Sequence, residues 1–184
     1  MTNVIQLDGR LRHLADELNA ALIEQMVREG TLFSPAWRAA FEAVPRYLFA
    51  PRFTLPDQVG GPALDVADST RREEWLRAAY RTKALLTDLE EHNVATTSCS
   101  APAVVATMLE ASEITERQSV LEIGTGTGWT AGLLAHRFGS QAVTSVDIKP
   151  ACIAEARDRL DALGLVQGRV DLSGFQAALS GVPS

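Results

Sequence analysis

Residues 118–130 of this 184-residue chain, Gln118-Ser-Val-Leu-Glu-Ile-Gly-Thr-Gly-Thr-Gly-Trp-Thr130, bring together residue types that can hold a ligand. The apolar residues Val120, Leu121 and Ile123 run into three glycines at alternate positions, Gly124, Gly126 and Gly128. Ala131, Leu133, Leu134, Ala135 and Phe138 then recur at helical spacing. The order strand, glycine turn, helix is the opening unit of a doubly wound α/β sheet. Glycine suits a turn where the chain reverses sharply and backbone must approach a ligand without a Cβ between them. A dinucleotide fingerprint would need G-x-G-x-x-G, but the sixth position from Gly124 is Trp129. Instead the order is Glu-x-Gly-x-Gly-x-Gly, with Glu122 inside the end of the strand. A second apolar run, Ala142 to Val146, ends in Asp147. A carboxylate at the tip of a second strand is placed to accept both hydroxyls of an adenosine ribose.

This combination looks like the nucleoside site of an S-adenosylmethionine-dependent methyltransferase. A nicotinamide or flavin site on the same fold is the alternative, and a purely structural glycine turn is a further one.

The elements around it are expected as follows. Leu7, Leu11, Leu14, Leu18, Leu22 and Met26 mark one face of a helix from about residue 8 to 29, stopped by Gly30. A second helix opens with Ser34 as N-cap and Pro35 in its first turn, carries Trp37, Ala40, Phe41 and Val44, and ends at Pro45. Residues 50–70, with Pro51, Pro56, Gly60-Gly61 and Pro62, read as a surface loop or flap. Residues 71–82 have a charged helical pattern with Trp75, Leu76, Ala79 and Tyr80 inward, and Ala84 to Leu89 is a possible short strand. In Val94-Ala-Thr-Thr-Ser-Cys-Ser-Ala-Pro102, four of nine residues carry hydroxyls and lead into a helix beginning near Pro102, capped by Ser100 or Ala101. Pro150 opens another helix, with Ile153, Ala156, Leu160 and Leu163 inward and Gly164 ending it. A third strand is expected at 169–172, then a short helix or tail over 173–184.

Net charge is −6, from 17 basic and 23 acidic residues, which argues against a nucleic-acid surface. No stretch has the length and apolarity of a membrane span, and the charged N-terminus does not read as a signal peptide. Two cysteines, Cys99 and Cys152, suggest a reducing, cytoplasmic setting without a disulfide framework. His13, His92 and His136 are scattered, and no metal site is expected.

With these residues assembled, the chain resembles the protein-L-isoaspartate O-methyltransferase family. Ala40-Phe-Glu-Ala-Val-Pro-Arg-Tyr-Leu-Phe-Ala-Pro51 is similar to the family's Ala-Phe-x-x-Val-Pro-Arg-x-x-Phe-x-Pro motif. Ser98-Cys-Ser-Ala-Pro102 sits where the family has Thr-Ile-Ser-x-Pro, followed by a Val-Ala-x-Met helix, here Val105-Ala-Thr-Met108. Val120 to Gly128 resembles its Val-Leu-Glu-Ile-Gly-x-Gly-x-Gly segment. The longer, charged stretch 52–79 is closer to actinobacterial relatives found beside ribosomally made peptides such as lanthipeptides. Departures are Ser98 for threonine, Cys99 for isoleucine, and Asp171-Leu-Ser-Gly174 where the family has Gly-Asp-Gly.

The resemblance implies a Rossmann-like methyltransferase fold whose sheet lacks its second half in this chain. It also implies a helical segment and flap over residues 1–93 and a cofactor-binding half-domain over residues 94–184. It implies transfer of a methyl group from S-adenosylmethionine to an isoaspartyl or aspartyl carboxylate of a protein or peptide. Ser100 would hydrogen-bond near cofactor and acceptor, or serve as a helix cap, or both. Thr97, Ser98, Ser100, Glu122, Gly124, Thr125, Gly126, Gly128, Asp147 and Ile148 would bind the cofactor. Arg46 would be structural, pairing with a carboxylate. The alternatives are a cofactor-binding but inactive remnant and an RNA methyltransferase. Neither nucleic acid nor membrane is an expected partner, and the oligomeric state stays open.

Overall fold

The computed structural model describes residues 5–89, 95–115 and 117–165, and the backbone of 171–174. The first helix, α1 (Gly9–Arg28), starts where Asp8 Oδ1 accepts the Leu11 N–H at 2.9 Å, which satisfies one of the orphan donors of its first turn. It packs on α2 (Pro35–Ala43), among other elements, and buries Leu11, Ala15, Leu22, Ile23 and Met26. Ser34 has the extended backbone of an N-cap, but its hydroxyl makes no capping bond. Glu110 instead accepts the N–H groups just before the helix, those of Phe33 and Ser34, at 2.8 Å each.

Residues 50–70 are more than the surface loop their prolines suggest. Two-residue strands β1 (Arg52–Phe53) and β2 (Leu64–Asp65) pair antiparallel, and Phe53, Leu55 and Leu64 are buried. A bridge from Thr54 to Leu86 then ties this flap to the next strand. The helix α3 (Arg72–Ala79) buries Trp75 and Leu76, and the Trp75 Nε1–H donates to the Ala50 carbonyl at 3.0 Å. β3 (Leu85–Leu89) forms where the apolar run predicts it.

The hydroxyl-rich segment after it forms a strand. β4 (Ala95–Cys99) pairs antiparallel with β3 and buries only Cys99. α4 (Pro102–Ala111) follows at the expected place, with Ala101 at its N-cap and no side-chain cap.

The remaining units are β5 (Val120–Ile123), α5 (Trp129–Phe138), β6 (Val143–Asp147), α6 (Pro150–Ala162) and β7 (Asp171–Gly174). They form a parallel sheet in the order β5-β6-β7, three strands as the sequence count allows. β7 runs two residues further than the expected 169–172. Residues 175–184, where a short helix or tail was expected, lie outside the described residues, as does His92.

Right-handed β-α-β crossovers place α5 and α6 on one face of this sheet. That face joins a single buried cluster with the N-terminal helices, knit by tryptophans whose N–H groups all find carbonyls. Trp129 Nε1–H, for instance, donates to Val44 O at 3.1 Å while its ring meets Phe41 edge-on. On the opposite face Leu121 and Ile123 stand 60% and 72% exposed, and no described element covers them. Parallel sheets are ordinarily covered on both faces.

Candidate functional site

The glycine turn sits at the C-terminal ends of β5 and β6, the place where open α/β sheets bind ligands. Its backbone is held from β6: the Gly124 and Thr125 N–H groups both donate to Val146 O, at 2.7 and 3.1 Å. Gly124 has φ +94°, and a Cβ there would meet nothing within 4 Å, so its missing side chain leaves open space. Gly128 is different. At φ +87° its Cβ would lie 2.7 Å from Ala156 Cβ, so glycine is needed there for α5 to pack on α6. The turn thus has one glycine facing open space and another closed against the fold.

Asp147 ends β6 as expected and is fixed by backbone donors. Its Oδ2 accepts the Gly126 N–H and its Oδ1 the Lys149 N–H, each at 2.8 Å. Each carboxylate oxygen retains a lone pair for a further donor, the requirement for gripping a vicinal diol. Ile148 beside it is 80% exposed, an apolar surface next to that carboxylate.

Glu122 lies beneath the turn. Burial pushes its carboxyl up to about 7, the Ser145 hydrogen bond opposes the rise, and the charge of Asp147 adds to it. The Ser145 hydroxyl donates to Glu122 Oε2 at 2.5 Å and lies 2.8 Å from Thr125 Oγ1.

Thr97 and Ser98 come from β4 and lie against the turn. The Ser98 carbonyl is 3.6 Å and the Thr97 methyl 3.9 Å from where a Gly126 Cβ would be. The Thr97 hydroxyl also touches Cys152 Sγ at 3.8 Å, so this half-buried cysteine belongs to the rim and not to the core. Lys149 ties the same hairpin down, its Nζ donating to Asp88 at 3.0 Å and Thr96 at 2.7 Å. The Ser100 side chain is exposed and caps no helix. Its carbonyl, not its hydroxyl, is what the fold engages.

That engagement comes from Arg46, and here the expected carboxylate partner is replaced by carbonyls. Arg46 is 0% exposed. Its guanidinium donates to the carbonyls of Ala79, Arg81, Lys83, Cys99 and Ser100 at 2.7–3.1 Å, and it stands 5.4 Å from the Trp129 ring centre. Burial lowers its pKa, as removal from water must for a cation. One side chain therefore gathers the end of α3, the start of β3 and the Ser100 loop. Sequence reasoning gave Arg46 a structural role, but a charged residue carries no local sign that it is wholly enclosed.

His13 and His136 are exposed, and no group of acidic, histidine or cysteine residues suited to a metal occurs among the described residues. A separate cleft of about 720 Å³, lined by Ile5, Leu48, Val66, Arg72, Glu155 and Arg159 among others, contains none of the residues above.

The glycine turn and Asp147 stand at the C-terminal edge of an open parallel α/β sheet, and comparison with known proteins gives the family. Residues 59–174 match the family model for protein-L-isoaspartate(D-aspartate) O-methyltransferase, and the chain belongs to that family. It is 32% identical over 147 residues to a protein-L-isoaspartate O-methyltransferase of Picosynechococcus, covering 80% of this chain and 53% of that one. A Thermococcus onnurineus protein of the same name is 33% identical over 150 residues, covering 82% and 56%. This chain therefore spans about half the length of the curated relatives it matches. Among solved structures, a protein-L-isoaspartate O-methyltransferase superposes with TM-score 0.57 at 20% identity, over 79% of this chain and 39% of that one. A Plasmodium falciparum beta-aspartate methyltransferase structure in complex with S-adenosyl-L-homocysteine gives TM-score 0.58 at 12% identity, over 89% and 64%. Both likenesses concern the fold.

Proposed function

We propose that this chain binds S-adenosylmethionine at the glycine turn and Asp147 and serves methyl transfer to the carboxylate of an isoaspartyl or aspartyl residue. The observation that carries the reading is Asp147. It is oriented by two backbone N–H groups, has lone pairs to spare, and stands beside the open Gly124 turn in a member of this family. In this reading Asp147 accepts the ribose hydroxyls and Ile148 lies against the base. Gly124, Thr125 and Gly126 admit the rest of the nucleoside, and Glu122 orients it from below. Thr97, Ser98 and Ser100 border the acceptor side, with Arg46 holding the Ser100 loop in place from beneath.

When bound, S-adenosylmethionine supplies a methyl group on a sulfonium leaving group. An acceptor carboxylate is ionised at pH 7, so no general base has to remove a proton. The protein's task is alignment, which can account for a large part of such a barrier. Residues 94–184 form the cofactor-binding part in this reading, and residues 1–93 the helical segment and flap that support it. The acceptor is a damaged protein or a peptide natural product, the second motivated by the long charged segment at 52–79. We place the protein in the cytoplasm on the strength of its two free cysteines, and no helix among the described residues is long and apolar enough to cross a membrane. The net charge of −6 speaks for a peptide acceptor over RNA.

The test is transfer of a radiolabelled methyl group to an isoaspartyl peptide, with base-labile label expected. Folded chain that binds S-adenosylhomocysteine yet labels no peptide would favour the second reading, a cofactor-binding chain without turnover. The exposed Leu121 and Ile123, which no described element covers, motivate that alternative.

A further inference from the structure

Ser145 carries no local motif, yet its hydroxyl joins Glu122 and Thr125 beneath the glycine turn. It lies on β6 directly opposite Glu122 in the strand register and is 0% exposed. A serine hydroxyl has one proton and two lone pairs. The proton goes to Glu122 Oε2, at 2.5 Å. The 2.8 Å contact with Thr125 Oγ1 must then run the other way, with Thr125 donating. A single buried oxygen thus joins the carboxylate below the turn to a threonine within it. Glu122 Oε1 has no hydrogen-bond partner among the described residues, so its lone pairs remain able to accept from a ligand donor. Among those residues, Asp147 on β6 is the charged group acting on Glu122, and Thr125 and Ser145 are the hydroxyls beside it.

We propose that Ser145 is a positioning residue of the cofactor pocket, fixing the Glu122 carboxylate and the Thr125 turn as one unit so that Glu122 Oε1 stays presented to the bound nucleoside. This rests on the cofactor reading given above. The adjacent hydrogen bonds explain why serine serves and alanine would not. Without the hydroxyl, Glu122 loses the described donor to its carboxylate and Thr125 loses the acceptor for its buried proton.

Two readouts separate the parts of this claim. The first is a ¹³C NMR titration of the Glu122 carboxyl in the unliganded chain, assigned with Glu122→Gln. The second is calorimetric titration with S-adenosylhomocysteine from pH 5.5 to 8.5. In Ser145→Ala the Glu122 midpoint should move to higher pH. Affinity at pH 7 should fall roughly ten-fold, and the pH midpoint of binding should rise with that of Glu122. Thr125→Val, which keeps the volume and removes only the hydroxyl, should weaken binding while leaving the Glu122 midpoint close to wild type. Should Ser145→Ala not fold, Ser145→Cys supplies a weaker donor of similar size and should give an intermediate midpoint. An unchanged Glu122 midpoint in the folded Ser145 variant overturns the proposal. So does an affinity loss that follows the melting temperature with no change in pH dependence. Absence of wild-type binding at every pH, with the Glu122 midpoint still dependent on Ser145, overturns the cofactor reading and with it the role of Ser145 toward a ligand.

Discussion

Arg46→Met offers the clearest test of how the Ser100 loop is held. Methionine nearly matches the length of the buried arginine stem and adds no new polar atom. What it removes is a guanidinium whose five carbonyl contacts span residues 79 to 100. A hydrogen bond from a charged donor contributes about 1.5–3 kcal/mol net, and a buried acceptor left unpaired costs about 1–3 kcal/mol. These terms do not add in full, because the loop can relax and water can enter, and removing the cation also relieves its desolvation. A net loss of about 3–5 kcal/mol is the reasonable sum, a large part of the ~5–15 kcal/mol that holds a domain together. For a chain of this size that is a fall in melting temperature of about 6–20 °C. Urea unfolding with a free fit of the slope gives the free energy directly. Arg46→Lys should recover little, since three donors on one nitrogen cannot reach carbonyls arranged around a planar fork. A loss below about 1 kcal/mol for Arg46→Met would refute the reasoning, because it would show the five carbonyls satisfied without the arginine.

Other expectations follow from the same geometry. Gly128→Ala should destabilise the fold by about 2 kcal/mol or more, because the new Cβ meets Ala156 at 2.7 Å in a left-handed backbone. Gly124→Ala has open space and should cost only about 1 kcal/mol in unfolding, while S-adenosylhomocysteine binding drops sharply; equal stability losses in the two variants would contradict the division of labour between these glycines. The Glu122 carboxyl, raised from 4.5 to about 7, binds its proton in the folded state after the unfolded chain has released it. The unfolded state thus holds fewer protons between about pH 4.5 and 7, and this group's contribution to stability falls as pH rises through that window. Against Glu122→Gln, wild type should lose up to about 3 kcal/mol across it by urea unfolding; a pH-independent difference between the two would sink the assignment.

The site's carboxylates and glycines were legible because their physics is local. A turn that needs positive φ demands glycine wherever it falls, and a carboxylate following an apolar run marks a strand end. β4 was not legible in the same way. Its Thr96, Thr97 and Ser98 are all partly buried without any apolar alternation, because the strand is held by pairing with β3 and by packing against the glycine turn. Ser34 carried the right residue type for a cap, yet its hydroxyl makes no capping bond, and the segment before the helix is held by a glutamate from α4, remote in sequence. The flap at 50–70 concealed its buried Phe53 and Leu64 because strands of two residues leave no period to read. Arg46 and Ser145 share one difficulty: nothing in a single residue's type announces that it will sit at 0% exposure with several partners. Leu121 and Ile123 show the reverse case, apolar strand residues that no described element covers.

The most direct test of the central claim is calorimetric titration of the wild-type chain and Asp147→Ala with S-adenosylhomocysteine. Asp147 and the two residues whose backbone donates to it are only partly buried, so the variant should remain folded by circular dichroism. The account predicts wild-type binding and a loss of at least ten-fold in the variant, on the order of one charge-assisted hydrogen bond. Equal affinity in the two folded chains would contradict it, since the nucleoside would then be held without the carboxylate on which the reading of this site depends.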